Sequence, residues 1–97
     1  MYAVIFSATI NELDDEYSST AEKMRALATE KYGCADFKAI VEENQEITIS
    51  YWPSIEHIKN WKYDPYHIEA QRVGQERWYS DYKVHVVRIE REYEKHT

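Results

Sequence analysis

The sequence predicts an α+β domain of element order β-α-β-β-α-β, with a four-stranded antiparallel sheet and both helices on one face. Three observations carry that expectation. Segments rich in β-branched and aromatic residues alternate with segments of helical spacing. A short polar connection joins the two middle strands. The strands are apolar on both of their faces, which leaves a second sheet surface to be covered. The crossover rule, applied to each β-α-β passage, places both helices on the same side of the sheet.

Tyr2 to Ile10 reads as the first strand. One alternating set is Tyr2, Val4, Phe6, Ala8 and Ile10; the other is Ala3, Ile5, Ser7 and Thr9. Neither set is properly polar. Asp14, Asp15 and Glu16 suit the positive end of a helix dipole, and Leu13, Tyr17, Ala21, Met24, Ala28 and Tyr32 then recur at helical spacing beside Leu27. Gly33 is a natural stop, so a helix is expected over Asp14 to Tyr32. Phe37 to Glu43 and Glu46 to Trp52 read as a hairpin, with Ile47, Ile49 and Tyr51 on one face and Thr48, Ser50 and Trp52 on the other. Ser54 is a suitable N-cap for a second helix carrying Ile55, Ile58 and Trp61. Asp64-Pro65 interrupts that helix, which restarts at Pro65 and runs to about Gln75. Trp78, Tyr79 and Tyr82 form an aromatic connector, and Lys83 to Tyr93 is the last strand.

The bulk numbers exclude several classes of function. Ninety-seven residues fit one domain, taken as 1–97, and the composition is ordinary for a globular chain at 43% hydrophobic and 31% charged. A net charge of −6 disfavours nucleic acid and anionic membranes as partners. No apolar run approaches a membrane span or a signal peptide, and Cys34 is the lone cysteine, so a cytoplasmic location is expected. A large apolar sheet face is rare on a soluble monomer, and a second copy packed sheet against sheet is the economical cover. A homodimer is therefore the expected partner state.

The standard catalytic motifs are absent: no Gly-rich nucleotide loop, no nucleophile elbow and no HExxH. Apart from weak combinations such as His67 with Gln71, the four histidines lack a second ligand at metal-binding spacing, so no metal is expected. The dense region is Tyr51 to Tyr82, with Trp52, Trp61 and Trp78, five tyrosines, His57 and His67. Such a half-polar aromatic region suits a small aromatic or quinone-like ligand, through stacking faces and a few placed donors. His67 could orient or deprotonate a phenol, since imidazole titrates near neutral pH. The bland alternative is that Trp61, spaced with Ile55 and Ile58, is simply core, and that Trp78 and Tyr79 cap an interface.

Ile47 to Trp52, Ile58-Lys59-Asn60-Trp61-Lys62, Pro65-Tyr66-His67 with Ala70, Gln71 and Gly74, and Trp78 to Tyr82 with the final strand resemble the antibiotic biosynthesis monooxygenase family. The resemblance spans most of the chain and is strongest from about Glu46 to Tyr93. It implies a ferredoxin-like domain paired into a dimeric α/β barrel, with a pocket in each subunit between helices and sheet. Family members include cofactor-free oxygenases of polycyclic phenols, quinol oxygenases and heme-degrading monooxygenases. The heme-degrading branch is disfavoured. Trp61 could match its helix Trp, but the position ten residues on is Gln71, His67 lies only six on, and Phe6 and Ser7 stand where the first strand would carry Asn. The phenol-oxidising branch surrounds its pocket with Trp, Asn, Tyr and His. By that likeness His67 would be base or orienter, Asn60 and Tyr66 hydrogen-bonding groups, and Trp61 a stacking wall. The leading expectation is a cofactor-independent monooxygenase acting on a small aromatic or quinone-like compound. The alternative is a non-catalytic small-molecule-binding or stress-related dimer.

Overall fold

A computed structural model describes residues 1–96. The chain runs β1 (Tyr2–Ile10), α1 (Asp15–Ala26), β2 (Asp36–Glu42), β3 (Gln45–Trp52), α2 (Ile55–Lys62), α3 (Pro65–Val73) and β4 (Tyr79–Arg88). The four strands form one sheet in the order β2-β3-β1-β4, and every neighbouring pair is antiparallel. This is the βαββαβ arrangement read from the sequence, with the second helix broken where Asp64-Pro65 required.

The alternation of β1 divides its side chains between two surfaces, and the register extends that division across the sheet. On one face Val4 lies opposite Ser50 and Val86, and Tyr2 lies opposite Trp52. The helices cover this face. Val4, Ala28, Cys34, Trp52, Ile58 and Trp61 form its core, with Tyr2, Met24, Leu27, Tyr32, Phe37 and Ile55 packed around them. Trp52 is fully buried, and its indole N–H donates to Ser50 Oγ at 2.8 Å, so this large ring leaves no polar atom unpaired.

Local chemistry explains the ends of the elements. Asp14 accepts from Tyr17 N and is therefore the cap of α1 rather than its first residue. Leu13 consequently falls outside the helix and is exposed. The buried stripe runs through Tyr17, Thr20, Met24 and Ala28, so Thr20 takes the inward place expected for Ala21. A single π-helical turn, Leu27–Lys31, follows α1, and a second, Gly74–Trp78, follows α3. Gly33 has φ 81°, and a Cβ there would come within 2.9 Å of His57 Cδ2, so the stop after α1 requires glycine for two reasons. The hairpin closes through Glu43-Asn44, with Glu43 at φ 55°. That moves the expected connection back by one residue.

The last strand differs from expectation. It begins at Tyr79 rather than Lys83 and ends at Arg88 rather than Tyr93. Register shifts between Thr9 and Ile10 let Ile10 pair with Tyr79, and Trp78 C=O accepts from Asn11 N at 2.8 Å. The aromatic residues assigned to a connector thus belong to the strand. The far end stops where β1 begins at Tyr2, and beyond Arg88 Ile89 N still donates to Met1 C=O at 3.0 Å.

Among the described residues the other sheet face carries no helix. Ile40, Ile47 and Val87 are exposed on it, and Ile5, Ile49 and Tyr51 are half-buried beside them. Among the described residues no helix is long and apolar enough to cross a membrane.

Replacing Trp52 with Ala removes the largest fully buried side chain and leaves Ser50 Oγ without its donor. Urea denaturation should show a loss of about 3–5 kcal/mol. A loss below about 1 kcal/mol would place the core elsewhere.

Candidate functional site

The break in the second helix builds the most unusual group in the chain. Ser54 caps α2, whose inward face presents Ile58 and Trp61. Asp64, buried, then starts α3: its Oδ1 accepts from Tyr66 N at 2.8 Å, and Pro65 follows as the first helical residue. Its second oxygen accepts from Tyr32 Oη at 2.5 Å, and Lys31 Nζ lies 3.9 Å away. The Tyr32 hydroxyl, aided by the backbone N–H groups of Tyr66 and His67, holds the Asp64 carboxyl below its usual range. One carboxylate therefore joins the end of the first helical segment to the start of α3.

That junction turns His67 onto Trp61. The two rings meet edge to face with centroids 4.4 Å apart at 84°. Trp61 also contacts Trp52 at 5.1 Å and Phe37 at 6.2 Å. His67 Nδ1 and Trp61 Nε1 are both buried without a hydrogen-bond partner among the described residues. Buried polar atoms are nearly always paired, so two orphaned nitrogens on adjacent rings mark a strained or ligand-facing position. Burial pushes the His67 pKa down to about 4, and the attraction of Asp64 only partly opposes this. The imidazole is neutral at physiological pH.

The structure brings together two of the four residues singled out from the sequence. Trp61 and His67 touch. Tyr66 is half-buried and turned toward α1, where Lys23 Nζ sits 4.4 Å above its ring. Asn60 is exposed on α2 and is not brought to the pair. Trp61 itself, only 8% exposed, occupies the space beside Trp52. Two shallow clefts lie elsewhere, one of about 390 Å³ at Asn11, Asp14 and Arg77 and one of about 550 Å³ at Ser7, Gln45, Tyr82 and His85.

The helix-covered face also retains an open apolar strip. Val84 and Val86 belong to that face by register with Phe6 and Val4, yet each is about half exposed. Phe6 stacks on Tyr82 at 5.6 Å and meets Tyr79 edge to face at 5.3 Å. From α3 and the turn after it, Gln71 and Gln75 both reach the Tyr82 hydroxyl, at 3.4 and 2.6 Å. His67, Gln71 and Gln75 are spaced four apart, a helical stripe with the orphaned imidazole at one end and an amide–phenol cluster at the other.

Sequence reasoning missed Glu46. It is buried on β3, where its carboxylate accepts from Tyr17 Oη, from Tyr79 Oη at 3.1 Å and from Thr48 Oγ1 at 3.4 Å. Burial is the main cause, and the carboxylate a further one, of the upward shift of both tyrosine pKa values, so both remain protonated donors. The signal was present: Glu46 alternates with Thr48, Ser50 and Trp52, the inward set. Nearby, Trp78 Nε1 donates to Asp14 at 2.9 Å and Arg77 pairs with Glu16 at 2.6 Å, which clasps the start of α1 to the end of the third helical segment.

With this architecture the molecule is a ferredoxin-like domain. No protein-family model matches the chain. The chain belongs to the same family as YqjZ of Bacillus subtilis (strain 168), a protein described as uncharacterized; the two are 37% identical over 92 residues, 94% of this chain and 81% of YqjZ. Among solved structures, SnoaB of Streptomyces nogalater, a cofactor-independent oxygenase, superposes with a TM-score of 0.81 at 10% identity, over 97% of each chain. Rv0793 of Mycobacterium tuberculosis also gives 0.81, at 12% identity over 96% of this chain and 98% of its own. A structure described as an antibiotic biosynthesis monooxygenase gives 0.68 at 15% identity, over 92% and 98%. At these identities the likeness establishes the fold, and the resemblance noted in the sequence holds at that level.

Two outcomes follow from the buried groups. His67 is neutral in the folded chain down to about pH 4, whereas the unfolded chain binds a proton near its ordinary value of 6.5. The unfolded state therefore binds more protons in this window, and stability falls as pH drops from about 6.5 toward 4, by about 2 kcal/mol at pH 5. Urea midpoints at two pH values measure this, and His67→Phe should flatten the difference. Glu46→Ala strands two buried phenol hydroxyls and should cost about 2–4 kcal/mol, whereas Glu46→Gln retains an acceptor and should cost less. Equal losses in the two variants would contradict this account of the cluster.

Proposed function

We propose that this protein is a cofactor-independent monooxygenase of a small aromatic or quinone-like compound and that it works as a homodimer closed sheet against sheet. The observation that carries the reading is His67, a half-buried neutral imidazole whose Nδ1 has no hydrogen-bond partner among the described residues, set against an indole. The shared architecture with SnoaB, a cofactor-independent oxygenase, supports the same reaction class.

The chemistry assigned to the chain is modest. A neutral imidazole accepts a hydrogen bond or proton from a phenolic hydroxyl, and the phenolate it leaves is the better one-electron donor to O₂. Recombination at an activated ring methylene forms a carbon–oxygen bond, and loss of water leaves a carbonyl. The substrate supplies all four electrons, so CH₂ and O₂ become C=O and H₂O with no added reductant. A phenolate beside His67 would raise the imidazole pKa through its opposite charge, so the group becomes a stronger base once substrate is seated. Trp61 forms the apolar wall next to it. In this reading Tyr66 on α3 is a hydrogen-bonding group, while Asn60, exposed on α2 and away from the pair, takes no direct part. The open strip of Phe6, Val84 and Val86 supplies apolar area along which a ring could lie.

The test is O₂ uptake by the purified protein with a panel of hydroquinones and phenols bearing an activated methylene. His67→Ala should lower turnover by about a hundredfold while circular dichroism stays native. Turnover unchanged in that variant would remove His67 from the reaction. Ligand binding with no O₂ uptake across the panel would instead identify a metabolite-binding dimer without catalysis.

A further inference from the structure

Tyr82 stands at the head of the open strip on the helix-covered face, and its surroundings fix its hydroxyl. Its ring stacks on Phe6 at 5.6 Å. Gln71 Nε2 and Gln75 Nε2 both donate to its oxygen, at 3.4 and 2.6 Å. Two amide donors occupy the two lone pairs of a phenol oxygen, which leaves its own proton to be donated. Among the described residues no acceptor takes that proton. Tyr79, a phenol on the same strand, gives its proton to Glu46, so the two tyrosines differ in their partners. A half-buried phenol held by two glutamines with its donor unused is suited to an acceptor from outside the chain.

The opposite pole of the strip is His67. Its ring touches Trp61, which packs on Trp52, and Trp52 shares a row of the sheet with Tyr2 and Arg88 at the far end of β4. Gln71 and Gln75 instead reach Tyr82, near the start of β4. α3 therefore runs against β4, and the half-exposed Val84 and Val86 lie along the interval between the two poles. Tyr82 Oη sits between the ends of side chains four and eight positions after His67. That is about 9 Å from His67 along the helix axis.

We propose that Tyr82, oriented by Gln71 and Gln75, donates a hydrogen bond to a carbonyl oxygen of the ligand whose phenolic hydroxyl meets His67. The ligand class is then a flat phenol of one or two rings with a conjugated carbonyl at the edge away from the hydroxyl. Val84 and Val86 are its apolar floor. The inference rests on the phenol-binding role proposed for His67 and adds the group that orients the ring. A hydrocarbon edge beside Tyr82 would strip water from the hydroxyl and leave it without a partner, so the unused donor selects against such ligands. The phenol proton passes to the imidazole, the phenolate charge spreads through the ring to the carbonyl oxygen, and the Tyr82 O–H stabilises it there.

Two probes of one skeleton test this: 6-hydroxy-1-tetralone, a phenol with a conjugated carbonyl, and 5,6,7,8-tetrahydro-2-naphthol, which lacks the carbonyl. Titration calorimetry on the whole protein gives the dissociation constants, and circular dichroism confirms the fold of each variant. Wild type should bind the ketone about tenfold more tightly than the carbonyl-free probe. Tyr82→Phe, which keeps the ring on Phe6, should bring the ratio to within about twofold and leave the carbonyl-free probe unchanged. Gln75→Leu should lower the ratio part of the way, which a merely structural glutamine would not do, since a weakened fold affects both probes alike. His67→Ala should weaken both. A preference that survives Tyr82→Phe overturns the role of Tyr82, and so does a wild type that binds the probes equally or binds neither at about 1 mM. O₂ uptake decides the oxygenase reading separately. Its absence with the ketone preference intact makes Tyr82 the recognition group of a binding protein; its presence without the preference keeps the reaction and removes Tyr82.

Discussion

One constraint shapes this molecule: three short helices can cover only one side of a four-stranded sheet, while the strands carry apolar side chains on both. The covered side holds Trp52, Val4, Ile58 and Trp61 and is the hydrophobic core. The helices are too short to cover all of it. They leave Val84 and Val86 half exposed at the β4 edge, and that uncovered strip is the apolar ground available to a ligand. The other side keeps Ile40, Ile47 and Val87 in solvent. Both surfaces given a role in the proposed function are places where the single helical layer falls short.

The second determinant is the break at Asp64-Pro65. A continuous helix from Ser54 to Val73 would place His67 six positions after Trp61, with the two side chains about 120° apart from the same face. Ending α2 at Lys62 and recapping at Asp64 resets the direction and brings the imidazole against the indole at 4.4 Å. Asp64 enforces the junction by accepting from Tyr32 and from the first turn of α3 at once. The cost of the arrangement appears as two orphaned ring nitrogens and a histidine held neutral by burial. Groups displaced from their comfortable protonation and hydrogen-bonding states concentrate at sites of chemistry, although structural clusters shift them too.

The Glu46 cluster at the opposite end of the covered face has a different character. Three hydroxyls satisfy its carboxylate, and the surrounding rings meet edge to face in two pairs, Tyr17 with Trp78 and Tyr79 with Phe6. Its polar atoms are paired, where those of Trp61 and His67 are not. That contrast separates a polar group that locks α1 to the sheet from one whose hydrogen-bonding capacity is unused among the described residues.

By itself the sequence determined the element order, the hairpin, the helix break at Asp64-Pro65, the glycine stop at Gly33 and the double-sided apolar character of the strands. These are local properties: turn chemistry, capping and alternation act within a few residues. Only the tertiary structure decided that β4 spans Tyr79 to Arg88, because a strand ends where its neighbour β1 ends. Only the fold placed Thr20 inward in place of Ala21, turned Tyr66 toward Lys23 and left Asn60 in solvent, because the outlook of a helical residue depends on which side of the helix meets the sheet. The buried Glu46 was legible in alternation but not in composition, since a carboxylate goes inside only when distant hydroxyls, here Tyr17 and Tyr79, arrive from other elements to receive it.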